Sequence, residues 1–198
     1  MHKLTGLIVS LAALVLSGCN MPFFTHPLSA QGQEMLDPNL LGTWQFKDGT
    51  ETIQMRIKAQ SATAYTIEIS DLAHPKKSEY YTAFNSTLGT GHYVNIVLAD
   101  KGAAPKYVFA KYTVVQNVLV FSLLVSGDKM RSAVLAGHLN GATVKGSSDD
   151  TTMSTATLRP LFASQGERLF GWDALGLWGK PSEARRNDQL QIGYRISR

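Results

Sequence analysis

The chain has a single cysteine, Cys19, and Leu16, Ser17 and Gly18 stand just before it at the end of an apolar run that follows Lys3. Small side chains at 17 and 18 suit a peptidase that must bind this segment extended in a narrow cleft. The other residues with chemical potential are scattered. Five histidines, His2, His26, His74, His92 and His138, show no metal-ligand spacing such as H-E-x-x-H, and His92, on an expected strand, reads as a core or rim residue. There is no G-x-S-x-G elbow, no phosphate-cradling loop and no dinucleotide fingerprint. Gly89-Thr90-Gly91 is a turn, because no helix follows it, and Asp149 and Asp150 adjoin each other where a glycosidase needs its acids across a cleft. A triad of distant Ser, His and Asp residues is the one catalytic arrangement that sequence leaves open. The expectation is a protein that is not an enzyme and needs no cofactor or metal.

Leu16-Ser17-Gly18-Cys19 resembles the lipobox of bacterial lipoproteins. The apolar core from Leu7 to Leu16 is far shorter than the roughly 20 residues a membrane-spanning helix needs, so residues 1–18 read as a removable signal. Cleavage after Ala30 is the rival, weakened by Leu28 where a small side chain belongs. The resemblance implies a diacylglycerol thioether on Cys19, cleavage after Gly18 and an acyl chain on the new amino terminus. Several such chains make release from a bilayer negligible, each buried CH2 adding about 0.8 kcal/mol. Asn20, where aspartate would signal inner-membrane retention, implies the outer membrane of a Gram-negative host, on its periplasmic side. No intramolecular disulfide can form.

About 180 residues would remain, enough for one well-cored domain. A hydrophobic fraction of 44% excludes wholesale disorder. The formal charge of +4 includes Lys3, and the remaining excess is spread out apart from Lys76-Lys77 and Arg185-Arg186. A nucleic-acid binder would show a basic stripe or a motif, and neither is present.

Residues 19–38, with Pro22, Pro27 and Pro38 and no apolar period, read as a flexible tether. From Leu40 the pattern switches to period two. Trp44 and Phe46 lead to a tight turn at Asp48-Gly49, then Ile53, Met55 and Ile57 alternate with polar residues. Further strands are expected around Tyr65 to Ile69, from Ser78 to Asn85, His92 to Leu98, Lys106 to Val115 and Val118 to Leu124. Those from His92 onward are apolar on both faces, as where a second element covers the outside. Asp128 could cap a short helix ending near Gly137, and Thr143 to Gly146 could begin an eighth strand. A helix is expected from near Leu158, placing Pro160 in its first turn and Leu158, Leu161 and Phe162 on its buried side. Leu190, Ile192, Tyr194 and Ile196 alternate again, in a last strand suited to pair with the edge of the first. The expected fold is mainly β, an antiparallel up-and-down barrel of about eight strands with a C-terminal helix and a terminal strand, the barrel and helix over 39–170 and an extension over 171–198.

Gly42-Thr43-Trp44 resembles the G-x-W start of a lipocalin, whose tryptophan closes the narrow end of the barrel, and the order of meander, helix and terminal strand is similar too. The likeness covers residues 40–197 in outline and three residues in motif. Lys47-Asp48-Gly49-Thr50 permits only a tight turn where lipocalins carry a long lid loop. For the arginine that normally packs on the tryptophan, Arg159 and Arg168 are both candidates.

Two functional readings follow. In the first, an envelope lipoprotein anchored in the lipid bilayer through Cys19 holds a small apolar ligand among Trp44, Met55, Tyr65, Tyr81 and Tyr93, inward tyrosines giving the cavity polar tips. The bland counterpart is that the tyrosines fill the barrel or lie beneath the helix. In the second, a solid-cored domain docks a periplasmic protein through Trp172 and Trp178, which stand with Leu175 and Leu177 in an aromatic-rich segment.

Overall fold

The structure is a computed structural model that describes residues 23–48, 51–74, 78–99, 102–123, 150–151, 153–170 and 190–197. Its strands are β1 (Phe23–Phe24), β2 (Gly42–Asp48), β3 (Glu51–Ala59), β4 (Tyr65–Asp71), β5 (Ser78–Leu88), β6 (Gly91–Leu98), β7 (Lys106–Val115), β8 (Val118–Leu123), β9 (Asp150–Thr151) and β10 (Leu190–Ser197). Among the described residues one helix, α1 (Thr155–Leu169), lies between β9 and β10. Antiparallel pairing runs from β2 through β8, then to β10, which returns to β2, so eight strands close on themselves. A closed barrel leaves no open edge in this ladder.

The meander follows the alternation in the sequence. The β2–β3 ladder runs from Gly42↔Ile57 to Asp48↔Glu51, leaving two residues between the strands as a tight turn requires. Trp44, Met55 and Ile69 pair in one row across three strands and so share the inner face. The terminal strand does more than was expected of it, since it pairs with β8 as well as β2 and is itself the eighth stave. The barrel therefore reaches past residue 170, and the division at 171 does not separate an extension from it. The helix expected near Asp128 and the strand expected at Thr143 lie outside the described residues.

Two cores form on opposite sides of the β5–β7 strands. The inner one gathers Trp44, Phe46, Ile53, Ile57, Tyr65, Ile67, Ala83, Val94, Tyr112 and Leu119. The outer one packs Tyr93 and Phe109 of the strands against Leu158, Leu161, Phe162 and Phe170 at the helix, with Phe24 and Leu28. Phe24 stacks on Phe109 with ring centroids 4.3 Å apart, and Phe162 meets Phe109 edge-on at 5.3 Å.

Helix α1 starts earlier than expected, at Thr155, which leaves Pro160 inside its second turn. Ser154 caps it, its Oγ accepting from the Thr157 amide at 3.3 Å. Burial of Leu158, Leu161 and Phe162, each under 4% exposed, outweighs the hydrogen bond that Pro160 cannot make.

The stretch 23–38 is not a tether. Phe24 pairs with Tyr107 of β7, and Phe24 and Leu28 are wholly buried. The Leu28 amide donates to Asn95 Oδ1 at 2.8 Å, Arg159 Nη1 donates to the Leu28 carbonyl at 3.1 Å, and Thr155 Oγ1 donates to that of Pro27 at 2.6 Å. Prolines that deny this stretch a helix or sheet period leave it free to act as a strap, held by side chains spaced far along the chain.

Candidate functional site

One end of the barrel is closed by the strap as it enters β2. The Leu36 amide donates to the Ala62 carbonyl at 3.1 Å, and Glu34 Oε1 accepts from the Thr87 amide at 2.9 Å. Asp37 is gripped from inside: its amide donates to Tyr65 Oη at 2.7 Å, and its carboxylate accepts from Tyr112 Oη at 3.1 Å. Tyr65 Oη in turn donates to Asn85 Oδ1 at 3.0 Å, and Asn85 Nδ2 to the Met35 carbonyl at 3.0 Å. Burial pushes the Tyr65 phenol up to about 12, and burial beside the Asp37 carboxylate pushes that of Tyr112 up further. These phenols are spent on holding the plug, so they are not offered to a ligand.

Trp44 sits just above the plug, wholly buried, with Nε1 donating to the Leu40 carbonyl at 2.9 Å. The cation on its face is not Arg159, which reaches the strap instead. It is Arg195, whose Cζ lies 4.4 Å from the ring centroid while Nη2 donates to the Asn39 carbonyl. Arg195 pairs with Trp44 across the closing β10–β2 ladder, a relationship visible in sequence only once β10 is recognised as a stave.

The other half of the interior differs. Met55, Ile69, Tyr81 and Ile96 pack against the inner core, yet each is only half-buried. Ile69 pairs with Glu79, which sets that carboxylate level with Met55 and Ile69 near the end of the barrel away from the plug. Tyr81 Oη donates to Glu79 Oε2 at 2.5 Å, and burial, reinforced by this bond to a carboxylate, pushes the phenol above its usual range. Among the described residues the arrangement is an apolar wall with one polar pair on it. No three metal-ligating side chains come together among the described residues.

Of the five lining candidates, Trp44, Met55, Tyr65 and Tyr81 belong to the inner core, and Tyr93 does not. Tyr93 points outward beneath α1, its Oη donating to the Phe162 carbonyl at 3.0 Å. The β6 period explains this: Val94 and Ile96 face in, so Tyr93 and Asn95 must face out. Tyr65 divides the closed half from the open one. Cys19, Trp172 and Trp178 lie outside the described residues. Asp37, Asn85 and Glu79 were not singled out in the sequence, where a polar residue inside a barrel has no signature of its own.

The closed, eight-stranded antiparallel barrel, with a tryptophan at its plugged end under an arginine and a helix on its flank, defines a class compatible with the lipocalin-like fold. No family model, no curated protein and no solved structure matches the chain.

Proposed function

We propose that the protein is an envelope lipoprotein, anchored through Cys19 in the outer membrane on its periplasmic side, whose barrel binds a small apolar ligand in its open half. The observation that carries the reading is the asymmetry of the interior. Toward the plug the Tyr65 and Tyr112 phenols are engaged with Asp37; toward the other end Met55, Ile69 and Ile96 line a half-buried apolar wall. Apolar surface left uncovered inside a barrel is stabilised by an apolar occupant, at roughly 25 cal/mol for each Å2 removed from water. The lipid anchor rests on Leu16-Ser17-Gly18-Cys19.

Native mass spectrometry of the protein released from membranes in detergent tests the container. A small apolar adduct on the wild type, lost in a folded Met55→Trp variant whose indole fills the open half, is the expected result. A wild type that carries nothing and takes up no added envelope lipid sinks it. The mass of the peptide containing Cys19 decides the anchor separately.

A further inference from the structure

The strap leaves little free chain between Cys19 and the barrel. Phe24 pairs with Tyr107, which sets Phe23 level with Val108 on β7. Cys19 precedes Phe23 by four residues, which span roughly 14 Å even when fully extended. A lipid on Cys19 therefore holds the barrel at the bilayer surface and does not suspend it at a distance.

The surface just beyond that reach is apolar. Beyond the Ala110–Leu123 pair, two rows cross the outer face of β7, β8 and β10. One is Thr113, Val120 and Ile192; the other is Val115, Val118 and Tyr194. The first row lies five residues along β7 from Val108, about 16 Å at roughly 3.3 Å per residue. Gly193 faces inward, where a Cβ would meet the Phe46 ring, so Tyr194 and Ile192 face out. Val115 is 44% exposed, Tyr194 47% and the neighbouring Ile196 50%. None of these side chains carries a charge at neutral pH. The outer face of β3 and β4 is of another kind, with Lys58 exposed and Arg56 Nη1 paired to Glu68 Oε2 at 2.9 Å. A contiguous uncharged apolar face on one side of a barrel marks an interaction surface.

We infer that the outer face of β7, β8 and β10 rests on the bilayer that holds the Cys19 lipid, with Val115, Val120, Tyr194 and Ile196 in the headgroup region and β3 and β4 turned to water. The inference rests on the lipid-anchor reading. The position of the anchor selects a lipid surface as the occupant, because the acyl chains enter the membrane within one short segment of this face.

Nitroxide labels on Val120→Cys and Thr66→Cys variants of the membrane-extracted protein, reconstituted in phosphatidylethanolamine and phosphatidylglycerol vesicles, test it. Thr66 lies on the outer face of β4, and Ile196→Cys serves as a second membrane-side position should Val120→Cys fold poorly. The expected result is a ratio of oxygen to water-soluble nickel accessibility several-fold higher at Val120 than at Thr66. Equal, water-like ratios on protein whose Cys19 peptide carries diacylglycerol overturn the docking and leave the anchor standing. A Val120 label reached by neither relaxant shows that protein, such as a second copy of the chain, covers this face, and also overturns it. A Cys19 peptide without lipid overturns anchor and docking together.

Discussion

Arg195 stacks on Trp44 across the seam where the last strand closes on the first, 4.4 Å from guanidinium carbon to ring centroid. The guanidinium also donates to the Asn39 carbonyl, so one side chain ties β10, β2 and the plug. Arg195→Ala is expected to lower stability by about 2 kcal/mol, the sum of a desolvated cation–π contact and a charged hydrogen bond. A double-mutant cycle with Trp44→Leu by urea unfolding checks it: a coupling of about 1 kcal/mol is expected, and additivity would remove the stacking from the account.

Gly166 sits in α1 where a Cβ would lie 1.9 Å from Tyr93 Oη. Glycine normally weakens a helix by about 1 kcal/mol relative to alanine. Gly166→Ala is nevertheless expected to destabilise by about 1 to 3 kcal/mol, because it displaces the phenol from the Phe162 carbonyl. Adding Tyr93→Phe should recover part of the loss in thermal melts, and a stabilised single variant would contradict this packing.

The strap contributes to the fold itself. Phe24 is wholly buried between Phe109 and Phe162, so Phe24→Ala is expected to cost about 3 to 5 kcal/mol, as large core truncations do. A change below about 1 kcal/mol in chemical denaturation would return residues 23–38 to the status of a tether.

Alkali should act through the interior tyrosines. Tyr65, Tyr112 and Tyr81 all hold their protons above the ordinary phenol value of about 10. The folded chain then binds more protons than the unfolded one as pH rises past about 10, so the stability these phenols contribute is full below that pH and declines above it. Urea midpoints should fall between about pH 10 and 12, and less steeply in Tyr112→Phe. An equal slope in that variant would rule out Tyr112 as a contributor.

The strands could be read from the sequence because their alternation is a local property, set by one wet and one dry face. Trp44, Ile53, Met55 and Ile57 declared the inner face by spacing alone. What escaped reading depends on partners far along the chain. Asp37 looks like a loop residue until Tyr65 and Tyr112 are placed around it, and Phe24 looks like a tolerated aromatic until β7 is beside it. Pro160 argued for a later helix start, and the burial of Leu158, Leu161 and Phe162 overrode that local preference. The wall at Met55, Ile69 and Tyr81 was half legible: the residue types suggested a lining, but which tyrosines face inward followed from strand parity.

Closure by residues 190–197 also sets when the barrel can form. β2 has one neighbour from its own hairpin, and its other is made about 150 residues later. No barrel can close on a chain still being synthesised short of β10. Until then its strands have open edges and the inner face stays wet. The most cooperative step of folding therefore waits for β10.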